Sequence, residues 1–180
     1  MKIVKRILIV IVALIALVLI VALFTKKDYA LEREITINKP KQVVFDYVKY
    51  LKNQDNFSKW AKMDPNMKKE YKGTDGTVGF VSSWDSESKD VGKGEQEITA
   101  IREGEQIDFA LHFIKPFDGR ANAFMATTAL SENQTNVKWG FSSRMNYPMN
   151  IMLLFMDMDK MLGTDLETGL QNLKGILEKQ

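Results

Sequence analysis

The chain has 180 residues, a formal net charge of +2 and no cysteine. A nearly balanced charge offers no basic surface to nucleic acid, so no nucleic-acid partner is expected. The lack of cysteine excludes a disulfide, a thiolate metal site and a cysteine nucleophile. A single histidine and scattered carboxylates predict no metal site, and no motif indicates a cofactor.

The first segment of the chain is its most apolar part. Residues 7–24, ILIVIVALIALVLIVALF, contain no polar group, and cations lie before and after them. As a helix, this stretch would span about 27 Å, close to the ~30 Å hydrocarbon thickness of a bilayer. A cleaved signal peptide is the alternative, but its apolar region is usually about 7–15 residues long and precedes a small-residue cleavage site. We therefore predict a single-pass transmembrane anchor within residues 1–28, followed by one domain at 29–180.

The orientation of this anchor follows only weakly from charge, because lysines lie on both sides of it. The short N-terminus carries three cations, which favours a cytoplasmic N-terminus. The domain is then expected outside the cytoplasm.

The segment after the anchor predicts a strand and then helix. Residues 29–38, YALEREITIN, alternate with a period of two, as a strand does. Arg33 is the exception, since it falls on the apolar side of this pattern. Apolar residues at helical spacing predict a short amphipathic helix within residues 40–51, and a second short helix is expected around Phe57–Trp60.

The rest of the chain predicts a meander and a long helix. Between Met67 and Met145, about six strand-like stretches are separated by turn signals, as in an antiparallel meander. Residues 148–179 then show apolar residues at every third or fourth position, which predicts one helix with a continuous buried stripe. The stripe consists of Ile151, Phe155, Met158, Leu162, Leu166, Leu170, Leu173 and Leu177. Gly163 and Gly169 should weaken this helix by about 1 kcal/mol each relative to alanine.

A meander with one apolar face needs a cover, and the last helix is the obvious one. The sequence therefore predicts an α+β fold with a curved antiparallel sheet of about seven strands. The sheet would wrap around the long C-terminal helix, and the single N-terminal transmembrane helix would precede it.

This order of elements resembles that of a known superfamily. The stretches EREITINKPKQVVFDYV, FSKWAKMDP, VGFVSSWDS…VGKGEQEIT and RMNYPMN resemble the START-like, Bet v 1-like (SRPBCC) superfamily, and within it the bacterial polyketide cyclase/dehydrase-like proteins. The resemblance covers the chain from about Tyr29 onward. It implies the helix-grip fold and a cavity between the sheet and the long helix for apolar or amphipathic small molecules. It does not imply enzyme chemistry, because the superfamily includes both lipid carriers and cyclases.

Candidate ligand-binding residues share the strand faces that should point at the long helix. Three methionines of the last segment add a second apolar line at helical spacing, and they could form a flexible wall beside the cavity mouth. Ordinary core packing is the alternative for each residue. The set is Phe80, Trp84, Phe109, Leu111, Phe113, Trp139, Phe141, Met149, Met152 and Met156.

Candidate acid–base groups are few. His112 falls on the polar face of its strand, where solvent exposure is expected. Glu95 and Glu97 share one face of their strand, and such pairs are more often solvated than catalytic. We therefore predict no catalytic residue.

Three functions remain open. The preferred one is a membrane-anchored, non-catalytic domain that binds a hydrophobic, lipid-like small molecule. The second is a polyketide cyclase/dehydrase-type enzyme, which a buried, paired carboxylate inside the cavity would favour. The third is a module that contacts an envelope or membrane partner, which a large exposed methionine patch without a cavity would favour. No protein partner can be named from the sequence.

Overall fold

The structure is a computed structural model that describes residues 2–88 and 90–179. Met1, Lys89 and Gln180, which fall within the predicted anchor, a predicted loop and the predicted domain, lie outside the described residues. The helices are α1 (Lys2–Phe24), α2 (Lys41–Lys49), α3 (Gln54–Phe57), α4 (Lys59–Met63) and α5 (Met158–Leu177), with 3-10 helices at Leu51–Asn53 and Met149–Leu154. The strands are β1 (Asp28–Ile37), β2 (Lys68–Lys72), β3 (Val81–Asp85), β4 (Lys93–Arg102), β5 (Gln106–Lys115), β6 (Gly119–Ser131) and β7 (Gln134–Arg144).

The seven strands form one antiparallel sheet in the order β1-β7-β6-β5-β4-β3-β2. Strands β2 to β7 follow one another as a meander, and β1 pairs with the last strand along its whole length. This confirms the predicted α+β fold with a seven-stranded sheet and a C-terminal helix. We call the end of the sheet where β1 begins and β7 ends the α1 end, and the opposite end the far end.

Alternation along the strands separates the two faces of the sheet. The inner face carries the core, which includes fully buried Ile37, Ile107, Met125 and Val137. Helix α2 adds Phe45 and Val48 to this core, and both side chains are inaccessible to solvent. The core is therefore thickest toward the far end.

Helix α5 runs along the inner face beside β1. Near its start, the Asp159 carboxylate accepts two hydrogen bonds of 2.9 Å from Arg33. Near its end, Lys174 donates to the Thr36 carbonyl at 2.7 Å, and the Asn38 amide donates to Glu178. The inward position of Arg33, an anomaly in the sequence pattern, is explained by this contact with α5.

The two glycines of α5 lie where the helix approaches the sheet most closely. Gly163 packs against the Arg33 guanidinium. A Cβ placed on Gly169 would lie 2.7 Å from Cζ3 of Trp139, which is too close for any real side chain. These glycines lower helix propensity, as expected from the sequence, but their lack of a side chain also allows the backbone of α5 to pack closely against the sheet.

The prediction of one continuous helix over residues 148–179 is wrong at its start. A 3-10 helix ends at Leu154, and α5 begins at Met158 after Asp157 caps it by accepting a hydrogen bond from the Lys160 amide. Phe155 lies at this break with 84% of its surface exposed, so it is not part of the buried stripe. An N-cap side chain accepts a hydrogen bond from an amide of the first turn and so marks the start of a new helix. Residues before Asp157 therefore do not continue the hydrogen-bond pattern of α5.

The 3-10 helix Met149–Leu154 packs against the end of α1. Asn150 is fully buried, and its side-chain amide donates to the carbonyls of Ala22 at 2.7 Å and Thr25 at 3.0 Å. The Met145 amide also donates to the Lys27 carbonyl. Helix α1 is long and apolar enough to cross a membrane. Its last turn is thereby fixed beside the chain that leads into α5.

Candidate ligand-binding cleft

Burial on the inner face decreases toward the α1 end. Along β5, Ile107 and Phe109 are fully buried, whereas Leu111 and Phe113 are partly exposed. Along β7, Val137 is fully buried and Phe141 is partly exposed. On β6, which lies between these two strands, Ala121 and Ala123 stay buried. The partly exposed part of the inner face at the α1 end therefore consists of larger side chains, which we call the wall of a candidate cleft: Trp84, Leu111, Phe113 and Phe141.

The position of α5 accounts for part of this gradient. The start of α5 lies against Arg33, which is paired with Trp139 of β7. The next row toward the α1 end still contains buried Leu31, Ala123 and Phe109, and the row after it is partly exposed at Tyr29 and Leu111. The connection from β7 to α5, which contains the 3-10 helix Met149–Leu154, adjoins this end of the sheet.

The wall of this cleft includes a fixed aromatic pair. The indole N–H of Trp84 donates to the Val91 carbonyl at 3.3 Å, and the ring meets Phe113 edge-on at 6.1 Å between centroids. Gly94 lies beneath the indole, where a Cβ would be only 2.5 Å from Cζ2. The glycine therefore allows Trp84 to lie flat on the sheet as a rigid apolar surface.

Open space adjoins this pair. Gly119 faces Phe113 across the β5–β6 pairing, and a Cβ placed on Gly119 would meet no atom within 4 Å. Tyr29 adds an aromatic ring on the opposite side, 6.3 Å from Phe141. Neither Tyr29 nor Gly119 was among the candidates. Tyr29 could have been found, because it precedes Leu31 by two residues and so shares its face.

The structure divides the predicted ligand-binding residues into three groups. Phe80, Phe109 and Trp139 are buried in the core. Trp84, Leu111, Phe113 and Phe141 line the inner face near the α1 end and are partly exposed. Met149, Met152 and Met156 lie in the connection between β7 and α5. Ligand binding by any of them stays a prediction.

The methionines are not ordinary core. Met149 is 51% exposed and Met152 is 38% exposed, while Met156 is half-buried. Their segment joins the end of β7 to the start of α5 beside α1. This location is at the α1 end of the sheet, and a role of the methionines beside a cavity mouth stays a prediction.

The candidate acid–base groups lie on the outer face. Glu95 faces His112 across the β4–β5 pairing, and Glu97 faces Ala110 on the same side. His112 Nε2 is 2.8 Å from the Asp118 carboxylate, which is largely exposed. The sheet therefore separates all three groups from the cleft. Within residues 2–88 and 90–179, no cluster of three or more acidic or histidine side chains could hold a metal ion.

Two shallow concavities of about 550 and 490 Å³ lie on the outer face. Asp108, Asn122 and Phe124 contribute to the larger one, and Arg120 and Arg144 to the smaller one. Both are open to solvent, and neither lies between the sheet and α5, where the sequence predicts a pocket. The candidate cleft on the inner face is defined by its partly exposed wall residues.

The Arg33–Asp159 pair holds the start of α5 at the edge of the cleft. Hydrogen bonding to Arg33 lowers the pKa of the Asp159 carboxyl group. A carboxylate whose pKa is lower in the folded protein adds stability above its unfolded pKa, about 3.9. That contribution is lost as the pH falls through the folded pKa.

Asp159→Asn should therefore be less stable than the wild-type chain near pH 7 and equally stable in strong acid. We expect the urea midpoints of the two proteins to differ at pH 7 and to converge as the pH falls below about 3.9. The measurement is urea unfolding followed by tryptophan fluorescence at several pH values. A difference between midpoints that does not change with pH would contradict a role for the ionised pair.

Comparison with solved structures identifies the architecture. Norcoclaurine synthase from Thalictrum flavum, solved in complex with dopamine and hydroxybenzaldehyde, aligns with a TM-score of 0.64 at 8% identity, over 89% of this chain and 92% of that chain. Ara h 8.0201 aligns with a TM-score of 0.56 at 14% identity, over 85% and 99%. A protein from Nitrosospira multiformis aligns with a TM-score of 0.57 at 15% identity, over 83% and 96%.

No protein-family model matches the sequence, and no curated protein matches it either. At such low identities, the likeness to solved structures concerns the fold and not the activity. It agrees with the resemblance seen in the sequence and with the sheet and helix described above. The chain has the Bet v 1-like helix-grip fold, preceded by one long apolar helix.

Proposed function

We propose that this protein is a membrane-anchored, non-catalytic domain that binds an apolar or amphipathic small molecule on the inner face of its sheet. Helix α1 is the anchor, residues 1–28 form the anchor and its junction, and residues 29–180 form the binding domain. The observation that carries the proposal is the decrease in burial along β5 and β7 toward the α1 end.

Ligand chemistry follows from the cleft wall. Trp84, Leu111, Phe113 and Phe141 provide apolar surface that is only partly covered by the protein. Their exposure leaves apolar area in contact with water, and a bound apolar molecule would remove it at about 25 cal/mol per Å². Methionines beside the opening can adjust to ligands of different shape.

The cyclase/dehydrase-type alternative has less support. His112, Glu95 and Glu97 lie on the outer face, so they cannot reach a molecule held on the inner face. A catalytic role for them would need a different binding surface. Of the two outer concavities, the larger includes Asp108 and Glu32 but none of these three groups.

Filling the open space at Gly119 should remove ligand. Gly119→Phe places a ring on the inner face beside Phe113, where a side chain meets no protein atom, so the fold should tolerate it. We expect native mass spectrometry of the detergent-solubilised full chain to show a co-purifying small molecule. In Gly119→Phe, its affinity should fall about tenfold or more, equivalent to 1.4 kcal/mol.

Thr128→Phe is the matched control, because Thr128 is exposed on the outer face of the same strand. It adds the same ring without entering the cleft, so bound ligand should persist. Equal ligand loss in both variants, or no bound molecule in the wild-type chain, would contradict the proposal.

A further inference from the structure

Exposed apolar side chains are concentrated in two segments of the domain. The connection between β7 and α5 exposes 57% of Leu154 and 84% of Phe155, together with the methionines described above. The end of β5 exposes Ile114, and the turn from β5 to β6 exposes 76% of Phe117. A large apolar surface that a folded domain exposes to solvent usually marks a site of contact with another protein or with a membrane.

Both segments lie at the α1 end of the sheet. Arg144, which precedes the first segment, pairs with Asp28 at the start of β1. Phe113 and Gly119 flank the β5–β6 turn and pair with each other, so this turn lies at the α1 end of the sheet as well. We call these two segments, residues 114–118 and 147–156, the apolar end surface.

The apolar end surface is tied closely to α1. Asn150 donates hydrogen bonds to the carbonyls of Ala22 and Thr25, so the segment 147–156 contacts the end of α1 directly. Only residues 25–27 separate α1 from β1. Even fully extended, the four steps from Phe24 to Asp28 cover at most about 14 Å.

Charged side chains of both signs lie near this surface. Lys26, Lys115 and Arg120 are exposed, and so are the carboxylates of Asp28, Asp118 and Asp157. The exposed lysine and arginine side chains can contact lipid phosphates beside an apolar surface, as in segments that lie in the interface of a bilayer.

We propose that the apolar end surface lies in the headgroup and acyl-chain boundary of the bilayer that α1 spans. The proposal rests on the anchoring role of α1 given above. Apolar faces of this kind insert about 5–10 Å into the boundary, which is within the reach set by the short junction. The partner of this surface is the bilayer, because the short junction to a membrane-spanning α1 holds these side chains close to the lipid.

Docking in this position points the opening of the cleft at the membrane. Leu111 and Phe113 lead directly into the β5–β6 turn, and the connection that borders the cleft contributes Phe155. A ligand could then pass between bilayer and cleft without crossing water. This narrows the ligand class to amphiphiles that reside in the membrane.

The test uses the full chain, whose lack of cysteine allows clean single labelling. The variants Phe117→Cys and Phe155→Cys report on the apolar end surface. Leu14→Cys in α1 reports on anchoring, and Leu130→Cys, exposed at the far end, is the matched control. Each variant is labelled with a small environment-sensitive fluorophore and reconstituted in vesicles of phosphatidylcholine and phosphatidylglycerol.

Quenching by acyl-chain nitroxide lipid is compared with quenching by aqueous iodide. We expect lipid quenching of the labels at 117 and 155 to exceed that at 130 about fivefold, because an interfacial surface places them at acyl-chain depth. Iodide should quench the label at 130 most strongly. This result would support docking in the bilayer.

Three results would overturn the docking proposal. Lipid quenching at 14 but not at 117 or 155 would leave α1 as an anchor and reject docking alone. No lipid quenching at any position would reject the anchor and docking together. Labels at 117 and 155 protected from iodide but not quenched by lipid would identify a protein contact, such as a second copy of this chain.

Discussion

Gly169→Val is expected to destabilise the domain by about 2–3 kcal/mol, because it overpacks the core where α5 crosses Trp139. A Cβ at Gly169 would lie 2.7 Å from Cζ3 of Trp139. Trp139 has no room to move, since Phe57 and Trp60 pack edge-on against it at 5.7 and 6.2 Å between centroids. The measurement is chemical unfolding of the detergent-solubilised chain.

Gly175→Val is the matched control for this effect. Gly175 lies in the same helix, and a Cβ there would meet nothing within 4 Å. Valine and glycine differ little in helix propensity, so the change should stay within about 0.5 kcal/mol. Equal effects at the two positions would mean that helix propensity, rather than contact with Trp139, decides the stability of α5.

Deleting residues 1–27 should make the protein extractable from membranes by carbonate without unfolding the sheet, because the remaining interfacial contacts of the apolar end surface are reversible. All the strands in the described part of the chain lie after this cut, because β1 begins at Asp28. The deletion removes the carbonyls of Ala22, Thr25 and Lys27, which accept hydrogen bonds from Asn150 and Met145. The 3-10 helix that contains Asn150 should therefore loosen.

Hydrogen exchange detected by mass spectrometry separates these effects. We expect faster exchange in residues 145–157 of the truncated protein and unchanged protection in β5 to β7. In the full chain, Asn150→Ala should reproduce much of the local increase, because it removes the two hydrogen bonds that Asn150 donates to Ala22 and Thr25. Loss of protection throughout the sheet would show that α1 is part of the folded core and that the predicted boundary is wrong.

Much of the sheet could be predicted from alternation alone. The inward row Ile107, Phe109, Leu111 and Phe113 follows from the period of two, and the structure places these side chains on the inner face. Alternation cannot tell how much of each side chain remains exposed. Phe109 and Phe113 have the same local pattern, but only Phe109 is fully buried, and the period of two contains nothing that distinguishes them.

The least predictable region is the connection into α5. Residues such as Ile151 and Phe155 have the spacing of a helical stripe, yet they precede the helix cap at Asp157. Apolar periodicity does not reveal such a break when the apolar residues continue at the same spacing on both sides of it. The many apolar residues of this segment are explained by its position, because Asn150 fixes the segment beside the apolar helix α1.

The pairing of the first strand with the last constrains how the chain can fold. Asp28 and Arg144 are partners although 116 residues separate them, whereas β2 to β7 pair with their immediate neighbours in sequence. Contacts between distant residues are slow to form because a long loop must close first. During synthesis, α1 and β1 emerge long before β7, and the meander can assemble while β1 still lacks its partner. Completion of the sheet therefore waits for the C-terminal part of the chain, and an exposed strand edge persists beside α1 until synthesis is nearly finished.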